Sequence, residues 1–354
     1  MKNIKVGLLF GGRSAEHEVS LVSAASIFKC INKEKYEIFS VYISKKGGWR
    51  IVDSPLLSAS ELNSGSFFSF IPWTKQSNPI ALDVDIYFPI LHGPYGEDGT
   101  IQGLFEMADV PYVGATVLAS AVGMDKCVAK ALFAGRDLPV VRHLVFHEED
   151  WRENRGRILE EITEELPLPL FVKPANLGSS VGITKVKDHA VVEEAIQEAF
   201  QYDHKIILEE GIQGRELECS VLGNSDPRAS LPGEIIPSRE FYDYRDKYQN
   251  GKTSFGIPAD VPPSTVSDIQ RISIEAFRAI DCSGMARIDF FLQESPERLY
   301  LSEINTIPGF TEISMYPKLW EVSGLSFSQL LDELIALGFE RHQKKKRKGL
   351  LFKA

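Results

Sequence analysis

Apolar positions along the chain follow two rhythms: short β-branched or aromatic runs, and longer stretches with helical spacing. Near the N-terminus "IKVGLLF" reads as a strand, "GGRSAEHEVS" as a glycine turn, residues 19–31 as a helix and "YEIFSVYI" as a second strand. That βαβ order predicts a right-handed crossover within a parallel sheet. A third strand, "VDIYFPIL", runs into the loop "HGPYGEDG", and "VPYVGA" reads as a short fourth. Binding groups of such sheets sit in the loops beyond the strands' C-terminal ends, so loops 11–20 and 92–99 are expected on one rim.

From about residue 119 the rhythm changes. "SAVGMDKCVAKALFAGRDL" is helical, "PVVRHLVF" extended, and 151–166 helical and charged. "PLFVKPANLGSSVGITKV" reads as strand, loop, strand, followed by the helix "HAVVEEAIQEAFQY" and the strand "KIILEEGI". Further on come the strand "RELECSVLG", a polar-aromatic segment "SREFYDYRDKYQNGKTSFGIPADVPP", a helix over 265–280, and paired strands "ARIDFFL" and "RLYLSEIN". Strands and helices alternate here without a long parallel run, which predicts α+β architecture.

At 354 residues the chain exceeds one simple core and predicts two or three domains. With 44% hydrophobic and 25% charged residues it has an ordinary globular composition. "VGLLF" is too short for a signal segment, and no apolar stretch approaches the ~20 residues of a membrane helix. Cys30, Cys127, Cys219 and Cys282 are scattered, which favours a reducing cytoplasm over a disulfide framework or zinc site. A net charge of −10 argues against general nucleic-acid binding. The basic stretch "RHQKKKRKGLLFKA" follows an amphipathic helix pattern; its lysines are expected to complement the helix dipole and then continue as a solvated tail.

"KPANLGSSVGI" admits two chemistries. G-S-S-V-G fits a hydrolase nucleophile elbow with Ser180 as nucleophile, but an elbow requires a helix after the turn. Here "ITKV" follows, β-branched and extended, and among His189, His204 and His342 none is a persuasive base. A strand–loop–strand tipped with Gly178, Ser179, Ser180 and Gly182 instead offers bare N–H groups and hydroxyls to phosphate, with Lys173 as point charge. In "ARIDFFLQESPERLYLSEINTIPGF", strand alternation puts Glu303 with Asn305 and Arg287 with Asp289. A hairpin turning near Pro296 would set Asp289 opposite Glu303 and Arg287 opposite Asn305, a hard oxygen set suited to Mg²⁺.

Together, "GGRSAEHEVSL", "LHGPYGEDGTIQGLFE", "MDK", "KPANLGSSVGI", "GRELECSVLG", "YDYRDKY", "ARIDFFL" and "EINTIPGFTEISMYP" resemble the D-alanine–D-alanine ligases of the ATP-grasp superfamily along nearly the whole chain. The resemblance implies an α/β and α+β fold of ATP-grasp architecture. Residues 1–117 would form an N-terminal Rossmann-like parallel-sheet domain and 118–212 a central subdomain carrying the glycine-rich phosphate loop. Residues 213–354 would form a C-terminal subdomain with a mobile lid, the Mg²⁺ site and the basic tail, so that two α+β domains clasp ATP. It further implies bacterial cytoplasmic synthesis of D-alanyl-D-alanine for peptidoglycan through a D-alanyl phosphate, with ATP, two Mg²⁺ ions replaceable by Mn²⁺, and a homodimer.

By the same resemblance, Lys126, Lys173 and the loop Gly178, Ser179 and Ser180 grip ATP phosphates, Glu209 and the chain through Ile212 border adenine, and Glu216 meets the ribose. Asp289, Glu303 and Asn305 match the metal ligands. Glu16 is similar to the residue pairing with the first D-alanine's ammonium, with His92 near its carboxylate. Arg287 and the N–H of Gly309 would steady an oxyanion, Ser314 and Met315 would receive the second carboxylate, and Lys247 the transferring phosphoryl group. Glu16, Ser179 and Tyr248 would form a closing hydrogen-bonded triad. Tyr248 favours D-alanine over D-lactate as second substrate; a D-alanine–D-lactate or other D-Ala–D-X ligase is the alternative. A catalytically inactive nucleotide-binding regulator is a reading of another class. A dehydrogenase is disfavoured because "GLLFGG" is not G-x-G-x-x-G.

Overall fold

The computed structural model describes residues 3–68, 83–178, 181–237 and 253–348. The N-terminal sheet contains β1 (Ile4–Gly11), β2 (Tyr36–Ile43), β3 (Trp49–Val52), β4 (Ser66–Phe67) and β5 (Ile86–Ile90) in the order β4-β3-β2-β1-β5. β1 pairs in parallel with both β2 and β5, as the βαβ pattern predicts, whereas β3 and β4 add an antiparallel edge. "VPYVGA" contributes one parallel bridge, Tyr87 to Tyr112, rather than a strand. Pro111 has no N–H and lends only its carbonyl, so the ladder does not extend. Helices α1 (His17–Cys30), α2 (Ala59–Ser64) and α3 (Thr100–Met107) belong to this part.

The predicted single helix after residue 119 is two, α4 (Val117–Met124) and α5 (Lys126–Ala134). Asp125 is extended and caps α5, accepting from the N–H groups of Cys127 and Val128, and this breaks the run. A four-stranded antiparallel sheet follows, ordered β6-β9-β7-β8, from β6 (His143–His147), β7 (Leu170–Pro174), β8 (Thr184–Val186) and β9 (Lys205–Glu210). Its apolar face is covered by α6 (Glu148–Glu165) and α7 (Val192–Ala199). Residues after Gly182 enter β8, not a helix, so the elbow geometry is absent.

The last sheet comprises β10 (Arg215–Gly223), β11 (Arg228–Ala229), β12 (Gly233–Ile236), β13 (Ser254–Gly256), β14 (Gly284–Glu294) and β15 (Glu297–Asn305). Its order is β13-β12-β10-β14-β15, with β11 beside β10. Helix α8 (Pro263–Ala279) packs on it together with Ala129 and Phe133 of α5. Helices α9 (Met315–Val322) and α10 (Phe327–Arg347) return to the first sheet: Phe10, Phe88, Phe310, Tyr316 and Leu331 share one core. This fusion brings the loop after β15 against the rim loops of β1 and β5. The basic stretch stays helical to Arg347 and is paired rather than only solvated, with Lys345 bonded to Glu106 of α3. Among the described residues, no helix is long and apolar enough to cross a membrane.

Candidate active site

Two cavities meet over the C-terminal sheet. Their shared wall includes Lys126, Glu218, Arg287 and Glu303. The first cavity is lined by Glu16, His92, Glu97, Gly178, Asn305, Gly309, Ser314 and Met315, the second by Lys173, Glu209, Ile212, Glu216 and Asp289. Of the residues singled out in the sequence, Ser179, Ser180, Lys247 and Tyr248 lie outside the described residues. All the other proposed site residues line one cavity or both; Gly182, at the tip of the glycine-rich loop, lines neither of these two.

The second cavity is built on charge. Lys173, on β7, stands beside Glu209 of β9 because those strands are antiparallel neighbours, and its Nζ lies 2.5 Å from the Glu209 carboxylate. The other oxygen of Glu209 meets Lys130 at 2.9 Å. Glu209 is 2% exposed and Lys130 1%, so that pair is withdrawn from water, while Lys173 remains partly exposed at the cavity. Burial alone would raise the Glu209 pKa, but Lys130 and then Lys173 more than reverse it and hold the carboxyl far below its usual range. Lys130 also donates to the Ser302 carbonyl at 2.8 Å, tying α5 and β9 to the strand that carries Glu303. The sequence reading missed Lys130. Its signal was its spacing: four residues after Lys126 on one helix, it shares that residue's face.

In the shared wall, the hairpin register is the expected one: Asp289 opposes Glu303 and Arg287 opposes Asn305, with an irregularity just after Asp289. Arg287 forks onto Asp289 with bonds of 2.7 and 2.6 Å, and its Nε also reaches Glu218 at 3.0 Å. Burial would weaken this cation, yet Asp289 and Glu218 raise its pKa well above the ordinary value. Asn305 donates to Asp289 at 3.0 Å, and Lys126 lies 3.7 Å from Glu303 while donating to the Leu177 carbonyl at 2.7 Å. Among the described residues no cluster of three or more His, Cys, Asp or Glu is arranged for a metal. The oxygen set is two carboxylates and an amide. It suits a hard cation that takes further oxygens from a bound phosphate, provided the Asn305 amide turns its oxygen inward.

The first cavity is built on backbone. Glu16 follows the β1 turn, and its Oε2 sits so close to two glycines that a Cβ at Gly93 would lie 2.8 Å from it, and one at Gly178 2.9 Å. Glu16 therefore stands where the β1 turn, the β5 loop and the start of the loop after β7 converge. His92 is 4% exposed with both ring nitrogens engaged. Nδ1 lies 3.1 Å from the Ile307 carbonyl, an acceptor only, so Nδ1 carries the proton. Burial lowers the His92 pKa against the pull of Glu16, so Nε2 is an acceptor and takes the Ser23 hydroxyl at 3.1 Å. Ser23 in turn accepts from the Phe310 N–H at 3.2 Å. Ser314 accepts from the Thr311 N–H at 2.9 Å and leads into α9, whose first N–H, that of Met315, has no partner within the helix.

Two cavities joined by a wall of two cations and two carboxylates can place a triphosphate against a small zwitterion. The family described as D-ala D-ala ligase N-terminus matches residues 5–115, and the D-ala D-ala ligase C-terminus family matches 132–336. A D-alanine–D-alanine ligase of Bacillus cytotoxicus is 48% identical, over 98% of this chain and 99% of its own. Among solved structures, the D-alanine-D-alanine ligase from Coxiella burnetii superposes with a TM-score of 0.86 at 38% identity, covering 98% of this chain and 97% of its own. The VanG D-Ala:D-Ser ligase from Enterococcus faecalis gives 0.82 at 37%, covering 95% and 100%. With both halves matched over nearly their full length, the chain belongs to the D-alanine–D-alanine ligase family and has its ATP-grasp fold.

Proposed function

We propose that this chain joins two D-alanines into D-alanyl-D-alanine, using ATP and forming ADP and phosphate, for peptidoglycan precursor synthesis. The observation that carries the reading is the shared wall: the groups suited to phosphate and those suited to a zwitterion meet at Lys126, Arg287 and Glu303. The domain division proposed with it is 1–117, 118–212 and 213–354, the compartment the bacterial cytoplasm, and the assembly a homodimer.

In this reading Lys126 and Lys173 take the nucleotide phosphates, Glu209 and Ile212 border adenine, and Glu216 holds the ribose. Asp289, Glu303 and Asn305 would hold two Mg²⁺ ions, with Mn²⁺ as a substitute; bound metal offsets the charge of the triphosphate. Glu16 receives the first D-alanine's ammonium. That substrate's carboxylate attacks the γ-phosphorus, the bond to ADP breaks, and an acyl phosphate results. The amine of the second D-alanine, its carboxylate held by Ser314 and the Met315 N–H, attacks the carbonyl carbon. Arg287 and the Gly309 N–H meet the oxyanion as charge develops there, and phosphate leaves. Lys247, Tyr248, Ser179 and Ser180 are proposed to close over the phosphates. His92 acts through the loop it supports, since both its nitrogens are committed.

Tyr248 favours D-alanine over D-lactate as the second substrate. The test is phosphate release with ATP against a panel of D- and L-amino acids plus D-lactate. Release with D-alanine alone is expected. Preference for D-lactate at neutral pH, or nucleotide binding without turnover, would overturn the assignment in favour of a depsipeptide ligase or an inactive regulator.

A further inference from the structure

Glu218 has no role in the reading above, yet it is 5% exposed and stands in the wall that both cavities share. It belongs to β10, where it lies directly opposite Asp289 of β14, and Asp289 in turn lies opposite Glu303 of β15. Residues directly opposite on adjacent strands share a face of the sheet, so Glu218, Asp289 and Glu303 form a row across three strands. Like charges so placed repel, and a cation stands at each end of the row. Lys126 is 3.7 Å from Glu303, and the Arg287 Nε is 3.0 Å from Glu218.

Asp289, in the middle, serves both ends. It accepts from Arg287 Nε at 2.7 Å, from the Arg287 terminal nitrogen at 2.6 Å and from Asn305 at 3.0 Å. A carboxylate offers roughly four lone pairs, so serving a metal through Asp289 loosens the Arg287 fork. A bound cation would also offset the charge that draws Arg287 to Asp289. Nε has a single hydrogen, which goes to Asp289 although Glu218 lies almost as near. Of the two carboxylates beside Arg287, only Asp289 belongs to the oxygen set suited to a hard cation. Glu218 is the one left to hold the guanidinium.

Resting on the ligase reading, we propose that Glu218 is a positioning residue: it takes over the Arg287 Nε–H when Asp289 turns to a divalent cation, and so keeps the guanidinium at the substrate cavity. A buried cation that loses its carboxylate is costly, so this second anchor also favours metal entry at Asp289. Loss of Glu218 therefore has two linked consequences. Arg287 is less well aligned with charge that develops only in the transition state, and Asp289 stays paired to Arg287 against the metal.

The experiment uses full-length wild type, Glu218→Gln and Glu218→Leu with two readouts. The first is the ADP-dependent rise in Tm as Mg²⁺ is titrated without D-alanine, each variant measured against its own ligand-free Tm. The Mg²⁺ midpoint is expected to rise at least about fivefold in Glu218→Gln, the low end of coupling between linked sites. The second is steady-state phosphate release at saturating Mg²⁺. There kcat should fall about tenfold, less than for a lost oxyanion donor because glutamine keeps one acceptor, with KM for D-alanine within about twofold. Glu218→Leu should exceed Glu218→Gln in both readouts, and Glu218→Gln carries the test if Glu218→Leu fails to fold. A lower ligand-free Tm with both readouts unmoved would overturn the proposal and leave Glu218 a structural charge. A lower kcat at an unmoved Mg²⁺ midpoint would overturn the sharing of Arg287 with Asp289. A KM for D-alanine raised more than tenfold at unchanged kcat would overturn it too, making Glu218 a substrate contact. If wild type releases no phosphate with D-alanine, the ligase reading fails instead, while the Mg²⁺ midpoint still tests the exchange at Asp289.

Discussion

The two cavities solve different physical problems with different materials. Around the cavity proposed for the nucleotide, side chains neutralise side chains: Glu209, almost fully buried, is held between buried Lys130 and the partly exposed Lys173. Around the substrate cavity, side chains hold backbone: Glu97 on Gly93, His92 on Ile307, Ser23 under Phe310, Ser314 on Thr311. Charge networks set the electrostatic potential a polyanion meets, and they tolerate small displacements because Coulomb energy varies slowly with distance. Hydrogen bonds to backbone fix directions, which is what a reacting carbonyl needs. The comparison predicts that mutations in the first region change nucleotide affinity and those in the second change turnover.

Arg287 sits where the regions join and should show the largest effect. Arg287→Met removes the proposed oxyanion donor and the cation that Asp289 and Glu218 share. We expect kcat to fall by about 10²–10³-fold. Differential scanning calorimetry should also show a lower Tm, since removing one partner of a buried pair typically costs about 3–5 kcal/mol. Wild-type turnover in this variant would break the assignment of Arg287 to the chemistry.

Lys130→Met sharpens the contrast within the nucleotide region. Glu209 retains Lys173, so the stability loss should fall at the low end, about 3 kcal/mol. KM for ATP should rise roughly tenfold, equivalent to about 1.4 kcal/mol of lost binding, while kcat changes less. Should kcat collapse with KM for ATP constant, the division of labour between the two regions would be wrong.

How much of this was legible in the sequence follows the same division. Residue type announces ionic chemistry: Asp289 and Glu303 were readable because strand alternation and a hairpin register suffice to bring them together, Lys173 because it borders the glycine-rich loop, and Lys126 only through the family resemblance. Glu209 was readable as a nucleotide neighbour but not as the centre of a triad, because Lys130 comes from a helix 79 positions earlier in a different element. The break between α4 and α5 depended on a cap by Asp125, which local propensity alone did not reveal. Glu97, within "HGPYGEDG", shows no role in the sequence, since the Gly93 N–H it holds is a main-chain group that every sequence possesses. His92 was placed near a substrate carboxylate, and only the fold discloses that Ser23 and Ile307 already occupy its nitrogens.

Tyr248, outside the described residues, offers a further perturbation. Tyr248→Phe removes one hydroxyl from the proposed triad with Glu16 and Ser179. Loss of one hydrogen bond corresponds to about 0.5–1.5 kcal/mol, hence a several-fold lower kcat with D-alanine. Some phosphate release with D-lactate should accompany it. A variant indistinguishable from wild type on both substrates would remove Tyr248 from closure and from specificity.

The smallest effect is a pH dependence that separates the regions by sign. Burial, with Glu16 adding, raises Glu97 to about 8, so the folded state holds a proton that the unfolded chain releases near the ordinary carboxyl value of 4.5. Stability from this group is complete below about 4.5 and is lost as pH rises through about 8. Glu209 has the opposite sign: its depressed pKa stabilises above the ordinary carboxyl range and is lost only in acid. Above pH 7 His92 is neutral in both states, because burial lowers it further from 6.5, and Glu209 is ionised in both. Arg287, which also faces Glu97, keeps its charge throughout. Thermal melts of ligand-free wild type and Glu97→Gln between pH 7 and 9 therefore isolate Glu97. Wild type should lose a few degrees relative to the variant across that range, and a pH-independent difference would mean that the Glu97 carboxyl is ionised in the folded protein throughout.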